Sequence, residues 1–328
     1  MLADRIQGQD YLDKFDFFTD KDPTNGLVNY QSEDAAKSGN LSYVSGQDFI
    51  MRVDTTEEAP KGRNSVRLQS KKAYGDAVVL LEVSHVPTGC AVWPAFWTVT
   101  SDLDQWPKGG EIDIMENVND QYAYNLASVH VQNDCMVSGN QTGTTVFNNC
   151  NAYANDQSGC RIAMNQTGVE TWGSKFNSKG GGVVAMQRDF SAGGPGVRMW
   201  IWDKGGALPP DVAKPGKRVD PNGWGTPMAS FGLQSCADQF GPHNIVFDIT
   251  LCGDWAGPAY ANTSCPSQFQ SCSNQVGNKG SSFIKAYWQV RELSIFTPTG
   301  ASNSASTTLA SAFLGSVATA FSTLLALV

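Results

Sequence analysis

The amino-acid sequence predicts an all-β protein whose main body is one domain, a β-sandwich or jelly roll. The chain of 328 residues is rich in turn formers, with 33 glycines and 15 prolines, and only 16% of its residues are charged. Its apolar residues occur in short runs of strand length, and no helical periodicity persists before residue 309. Many short strands with turn signals between them indicate a sandwich or jelly roll, which can reach this length as one domain.

The first half of the chain supplies strands around an acidic segment. Residues 15–100 read as short strands broken by turns, and the later ones include Trp93, Phe96 and Trp97. A strand that contains His130 is expected to lie beside the strand that contains three acidic residues (residues 109–117), called the acidic strand below. The predicted elements are, in order, strands at 77–83 and 91–100, a turn at 102–110, the acidic strand, and a strand at 126–132.

The second half is predicted to begin with loops and to end with strands. Residues 133–182 are rich in Asn, Gly, Gln and Ser and contain three cysteines, so we expect long surface loops held by disulfides. In the last predicted strand the apolar residues move from even-numbered to odd-numbered positions before Leu293 and Ile295, which predicts a β-bulge. The predicted strands of this half are 183–187, 197–202, 245–251 and 283–296.

The acidic strand, residues 109–117 (GGEIDIMEN), contains three carboxylates separated by bulky apolar residues. Such spacers favour a half-buried strand, on which alternate side chains share a face. Glu111 and Asp113 therefore point the same way, whereas Glu116 has the wrong parity. One extra residue, a bulge at Ile114 and Met115, would return Glu116 to the face of the other two.

Three acids in a row on one face have a chemical interpretation. Cleavage of a glycosidic bond uses a carboxylic acid and a carboxylate on opposite sides of the bond. Asp113, between the two glutamates, would keep their protonation states apart. The alternative is a solvated acidic strand or part of a calcium site, but the apolar spacers and the preceding Gly-Gly pair argue against it.

The cysteines and the net charge indicate an extracellular protein. The net charge is −8 and no basic cluster is present, so nucleic acid is not an expected partner. Eight cysteines without a CxxC motif favour four disulfides over a zinc site. Cys265 and Cys272 enclose a short loop and are the best guess for one pair. Four sequons agree with secretion, at Asn40, Asn140, Asn165 and Asn262.

The C-terminal end differs in composition from the rest of the chain. After the domain at 5–298, residues 299–308 form a Ser/Thr-rich spacer, and residues 309–328 lack charged side chains. This order predicts a glycosylphosphatidylinositol attachment signal, with a plain tail anchor as the alternative. The membrane is then expected to be a partner only through this lipid anchor, at the cell surface or cell wall. Release by a phosphatidylinositol-specific phospholipase would test the expectation.

The acidic strand and five further blocks resemble glycoside hydrolase family 16. GEIDIMEN is similar to the bulged ExDxxE signature of that family. The blocks resemble its secreted fungal laminarinase-type members, at 26–30 (GLVNY), 62–67 (GRNSVR), 89–97 (GCAVWPAFW), 222–227 (NGWGTP) and 251–257 (LCGDWAG). The resemblance covers roughly residues 5–298. It implies a concanavalin A-like β-jelly roll with an open concave cleft that binds a β-glucan.

The resemblance also implies an activity and roles for the acids. It implies a retaining endo-β-glucanase that cleaves internal β-1,3 bonds, or β-1,4 bonds next to them, in laminarin or lichenan. Glu111 would be the nucleophile, Asp113 its assistant and Glu116 the general acid/base. No metal or organic cofactor is expected in the chemistry, and we expect a monomer.

Aromatic and polar side chains are predicted to hold the sugar chain. Pyranose rings stack on aromatic faces, and nine tryptophans are many for this length, although core packing is the alternative for each. Trp172 and Trp224 are weaker candidates. His130 is a core histidine in the alternative interpretation. By resemblance, the expected substrate-binding residues are Trp93, Trp97, Trp106, Trp255, His130, Asn29 and Arg67.

Two other functions stay open at this point. A cell-wall transglycosylase would use the same acids with a sugar hydroxyl as acceptor, and the predicted membrane anchor favours it. A non-catalytic glucan-binding module would need the cleft but not the three acids, which are all present. The blocks that flank the acids resemble the hydrolytic glucanases more closely.

Overall fold

A computed structural model describes residues 1–154 and 158–299. Two eight-stranded antiparallel sheets pack face to face, which confirms the predicted all-β sandwich. The strands are β1 (Leu2–Ile6), β2 (Phe15–Phe17), β3 (Val28–Tyr30), β4 (Ser42–Ser45), β5 (Asp48–Arg52), β6 (Arg63–Ser65), β7 (Arg67–Tyr74), β8 (Ala77–His85), β9 (Val92–Thr100), β10 (Glu111–Glu116), β11 (Asn125–His130), β12 (Thr144–Phe147), β13 (Cys160–Met164), β14 (Gly182–Asp189), β15 (Gly196–Asp203), β16 (Ala229–Ser230), β17 (His243–Leu251) and β18 (Tyr287–Phe296).

Short helices lie in the connections between the strands. None is longer than the eight residues of α5 in the described ranges, so no helical periodicity could develop in the sequence. The α-helices are α1 (Asp10–Lys14), α2 (Glu33–Ser38), α3 (Gly173–Ser178), α4 (Pro210–Ala213), α5 (Gly253–Tyr260), α6 (Pro266–Phe269) and α7 (Cys272–Asn278). Short 3₁₀ segments occur at Leu103–Gln105, Pro221–Gly223, Gln234–Gln239 and Gly280–Phe283, and the third is kinked at Cys236.

The sheet that contains the acids is called the cleft sheet, and its strand order is β12-β13-β11-β10-β9-β17-β7-β2. The other sheet, called the outer sheet, has the order β16-β15-β14-β8-β18-β5-β4, with β1 paired to β18. Side chains of the cleft sheet alternate between the core and the cleft face. In β10, β11 and β17 nearly all residues on both faces are buried. The core side of its central strands includes Phe96, Ile112, Val129 and Phe247.

Aromatic rings join the two sheets at the centre of the core. The ring of Phe247 stacks on Phe96 with centroids 4.5 Å apart, and it meets the indole of Trp288 edge-on at 5.9 Å. The Trp288 Nε1–H of the outer sheet also donates a hydrogen bond of 3.0 Å to the carbonyl of Asp248 in the cleft sheet. These contacts fix the back of β17 and β9, on whose other face the cleft lies.

The structure corrects three expectations about secondary structure. Residues 133–182 are not only loops, because β13 lies beside β11 within the cleft sheet and β12 forms its edge. The last strand begins at Tyr287 rather than at residue 283, since Phe283 ends a 3₁₀ turn and Ile284 is 58% exposed. The predicted bulge in this strand is confirmed by register shifts between Gln289 and Glu292, slightly before the predicted position.

All eight cysteines are paired, but the pair guessed from the sequence is wrong. The helices α6 and α7 occupy the segment around Cys265 and Cys272 and direct each sulfur to a different strand end. Cys265 bonds to Cys90 before β9, and Cys272 bonds to Cys252 after β17. The other two pairs are Cys135–Cys236 and Cys150–Cys160, and no cysteine is free.

The predicted spacer and apolar tail lie outside the described residues, apart from Thr299. The expected anchor therefore stays a prediction. Among the residues that the structure describes, no helix is long and apolar enough to cross a membrane.

Candidate active site

An open cleft of about 940 Å³ lies on the free face of the cleft sheet. Its floor crosses the sheet from Arg161 on β13 to Arg67 on β7, and all three predicted acids are part of it. A smaller cavity of about 440 Å³ lies against the outer sheet near Arg5 and Glu292 and contains none of the acids, so the chemistry points to the larger cleft.

A bulge in β10 brings Glu116 to the cleft face. On β11, Asp113 lies opposite Ser128 and Glu116 lies opposite Leu126, so three steps along β10 match two steps along β11. On β9 the register shifts between Asp113 and Met115. The consecutive side chains of Ile114 and Met115 are both fully buried in the core. The predicted bulge is therefore confirmed, and all three acids line the same cleft.

Each outer glutamate accepts a hydrogen bond from an indole. Trp106 Nε1–H, on the loop between β9 and β10, donates to Glu111 Oε2 at 2.9 Å. Trp93 Nε1–H, at the start of β9, donates to Glu116 Oε1 at 2.8 Å. The two indoles therefore fix carboxyl groups at opposite ends of β10.

His130 contacts the acids from the neighbouring strand. Its position on β11 is directly opposite Glu111. His130 Nε2 lies 3.2 Å from Asp113 Oδ2 and 3.9 Å from Glu111 Oε1. The imidazole therefore lies beside the first two acids and lines the cleft, as the resemblance implies.

The environment shifts the protonation equilibria of all three acids in the same direction. Burial and the charge of Asp113 raise the pKa of Glu111 to about 8, and the same two causes raise the pKa of Glu116 to about 7. Burial raises the pKa of Asp113 to about 7, against the opposing charge of Arg161. Because the groups interact, their protons belong to the cluster as a whole. Near neutral pH the cluster can hold a carboxylic acid and a carboxylate together.

The donor set also has the composition of a cation site. One ligand atom each of Glu111, Asp113 and His130 lies within 4.8 Å of the others. Two carboxylates and an imidazole are ligands that divalent transition metals accept. Two of these groups, Glu111 and Asp113, are also among the three predicted acids, so a bound cation would compete with the acid chemistry.

Most of the predicted sugar-binding residues line the cleft. Trp93 and Trp255 meet edge-on with centroids 5.6 Å apart, and Trp106 lies at the opposite wall. The guanidinium of Arg67 is 5.0 Å from the ring of Trp97. The predicted residues that line the cleft are Trp93, Trp97, Trp106, Trp255, His130 and Arg67.

Three predicted or weaker candidates lie elsewhere. Asn29 is exposed on β3, where its side-chain amide donates to the carbonyl of Gly62 at 3.1 Å, and it is not part of the cleft lining. Trp172 is buried against Trp288. Trp224 packs on Trp200 outside the outer sheet. The two tryptophans are therefore core residues.

Sequence reasoning missed Arg161 and Asp248 in the cleft. Arg161 lies 4.2 Å from the ring of Trp255 and donates from Nε to Ser128 Oγ at 3.1 Å. It follows Cys160 in a segment that was predicted to be loop, so no pattern marked it. Asp248 is buried beside Ala95, and burial raises its pKa to about 7. Asp248 lies between Phe247 and Ile249 in the sequence, and this alternation of apolar and polar residues is the pattern that could have placed it on the cleft face.

Known proteins that are similar to this chain are named for glycoside chemistry. A family model described as "XgeA-like, catalytic GH16 domain" matches residues 15–296. A "Probable endo-1,3(4)-beta-glucanase" of Aspergillus niger is 36% identical over 319 residues, which are 93% of this chain and 41% of that protein. The chain thus spans less than half the length of that relative.

Two solved structures are similar over almost their whole length. Laminarinase 16A from Phanerochaete chrysosporium, solved with 6-O-glucosyl-laminaritriose in donor and acceptor sites, is 35% identical with a TM-score of 0.82. An elongating GH family 16 β-1,3-glucosyltransferase is 35% identical with a TM-score of 0.80. Each similarity covers 90% of this chain and 99% of the other.

Replacing Glu111 should change how stability depends on pH. Its pKa of about 8 in the fold exceeds the ordinary 4.5, so between these values the native chain binds more protons than the unfolded chain. The free energy of unfolding therefore falls as pH rises through this window. Glu111→Gln removes that titration. From pH 5 to pH 8, the free energy of unfolding of the variant relative to that of wild type should therefore rise by about 1–3 kcal/mol.

Urea denaturation at both pH values, with the disulfides intact, measures this difference. Glu58→Gln, at an exposed position, is the matched control and should show the same pH dependence as wild type. If the free energy of unfolding of Glu111→Gln differs from that of wild type by the same amount at pH 5 and at pH 8, the electrostatic description of the site is wrong.

Proposed function

This chain belongs to glycoside hydrolase family 16, and we propose that it is a retaining endo-β-glucanase. Its substrates are β-glucans with internal β-1,3 bonds, such as laminarin, or with β-1,4 bonds next to β-1,3 bonds, such as lichenan. The observation on which the proposal rests is that the bulge in β10 places the side chains of Glu111, Asp113 and Glu116 together in the cleft. A binding module would gain nothing from three desolvated acids.

The first step forms a bond to Glu111. The Glu111 carboxylate attacks the anomeric carbon while the glycosidic C–O bond breaks, and the Glu116 carboxylic acid gives its proton to the leaving oxygen. Burial raises the pKa of both glutamates, and that of Glu111 further than that of Glu116, so these roles rest on the match of GEIDIMEN to the family signature and not on the pKa shifts. The products are a glycosyl ester on Glu111 and a free sugar chain end.

The second step releases the sugar from Glu111. Glu116, now a carboxylate, takes a proton from water, and the water oxygen attacks the anomeric carbon. The ester bond breaks and Glu111 leaves as a carboxylate. Two displacements at the same carbon retain its configuration. Trp106 and His130 both lie at Glu111 and can stabilise its charge in the free enzyme.

Asp113 controls the two glutamates without forming a bond to the sugar. Its charge raises the pKa of both neighbours. His130 Nε2 lies 3.2 Å from Asp113 Oδ2 and would form an ion pair with it when the imidazole is protonated. The charge of Asp113 therefore favours the protonated form of each outer acid, which keeps a carboxylic acid available near neutral pH.

The shape of the cleft supports internal cleavage of a long glucan. From β13 to β7 the floor crosses five strand spacings, which amount to about 24 Å. That distance gives room for several sugar rings on both sides of the acids. Trp93 and Trp255 at one wall and Trp106 at the other offer aromatic faces for these rings.

A β-1,3-glucan transglycosylase is the second candidate. The solved glucosyltransferase is as similar in sequence as the laminarinase. The first step would be identical, but a sugar hydroxyl would then replace water as the acceptor. The two reactions differ in the length of their products and not in the acids that they use.

Product analysis tests the proposed function directly. Laminarin should yield short oligosaccharides early in the reaction, and NMR should detect the retained β-anomer first. Glu111→Ala should lower kcat/KM by at least about 10³-fold, because no covalent route remains. Products longer than a defined oligosaccharide substrate would favour the transglycosylase, and an inverted first product would contradict the mechanism.

A further inference from the structure

The bulge that turns Glu116 into the cleft is bridged by one buried side chain, that of Asn125. Asn125 Oδ1 accepts a hydrogen bond of 3.0 Å from the backbone N–H of Glu116. Asn125 Nδ2 donates a hydrogen bond of 2.8 Å to the carbonyl of Ile114. The side chain is fully buried, and it is not part of the cleft lining. It therefore touches both ends of the bulge and no sugar.

An asparagine suits this position because of its chemistry. The extra residue of a bulge disrupts the ladder of hydrogen bonds between strands, and buried backbone groups need partners. A backbone N–H can only donate and a carbonyl can only accept, so the amide of Asn125 has one possible orientation. Alanine would satisfy neither group at the bulge, and serine has a shorter reach than the amide.

Asn125 is itself held firmly by its surroundings. Its own N–H donates to Thr171 Oγ1 at 2.9 Å, and Thr171 Oγ1 donates to the carbonyl of Met164 at 2.8 Å. In the turn before it, Asn117 Nδ2 donates to the carbonyls of Tyr122 and Tyr124, both at 3.0 Å. These hydrogen bonds thus hold the side-chain amide of Asn125 in one position next to the bulge.

We infer that Asn125 is a positioning residue for Glu116, and this inference rests on the proposed function. By holding both ends of the bulge, it fixes the backbone from which the Glu116 side chain reaches the scissile oxygen. Glu111 precedes the bulge and has contacts of its own with Trp106 and His130. Loss of the Asn125 amide should therefore impair proton transfer by Glu116 more than attack by Glu111.

The test compares two substrates that differ in their need for an acid. Laminarin has a leaving group that must be protonated, whereas a 2,4-dinitrophenyl laminarioligosaccharide has one that need not be. Asn125→Ala should lower kcat/KM for laminarin by about 30–100-fold and for the activated substrate by less than about 3-fold. The ratio of the two kcat/KM values is independent of the fraction of protein that is folded, so reduced stability of the variant does not affect it.

Matched variants separate positioning from a general structural effect. Asn177 makes the same kind of bridge to the N–H and carbonyl of Val86, both at 2.9 Å, away from the cleft. Asn177→Ala should leave the ratio at the wild-type value. Glu116→Ala gives the upper limit of the change, and Asn125→Ser provides a smaller truncation if Asn125→Ala does not fold.

The outcomes distinguish the inference from the function on which it rests. A wild-type protein that does not cleave laminarin would overturn the proposed function itself. If wild type is active and Glu116→Ala changes the ratio, but Asn125→Ala and Asn125→Ser do not, the inference about Asn125 is wrong. An equal change in Asn177→Ala would also overturn it.

Discussion

One extra residue in β10 determines the arrangement on which the cleft depends. A regular strand would direct Glu116 into the core, where its charge would have no partner. The bulge instead lets Ile114 and Met115 both enter the core and returns Glu116 to the side of Glu111 and Asp113. Apolar packing behind the strand and acid chemistry in front of it are therefore two consequences of the same backbone feature.

The acids lie in an environment that disfavours their full ionisation. Burial raises the pKa of all three, and Asp113 adds to the effect on its two neighbours. Indole donors at each glutamate and the charge of Arg161 offset part of that penalty. Such a site lowers stability at higher pH but keeps a proton available for transfer, which is a common compromise between stability and activity.

The sequence was informative where local spacing decides the structure. The apolar spacers of β10 predicted the strand, and the parity of Glu116 predicted the bulge. Spacing could not identify Arg161 or Asn125, because their roles depend on which strands become neighbours in the sheet. The same limit applies to Cys265 and Cys272, whose closeness in sequence suggested a pair, whereas each bonds to a cysteine at the end of a distant strand. Asn29 matched a family block, but its side chain is directed to Gly62.

The most direct test of the account asks whether the two outer glutamates have different roles. Glu111→Ala and Glu116→Ala would each be given an activated glycoside and azide, and the configuration of the glycosyl azide would be read by NMR. The account predicts inversion for Glu111→Ala, because azide enters the space of the missing nucleophile, and retention for Glu116→Ala, because azide attacks the glycosyl ester. The same configuration from both variants, or near-wild-type hydrolysis by Glu111→Ala, would contradict it.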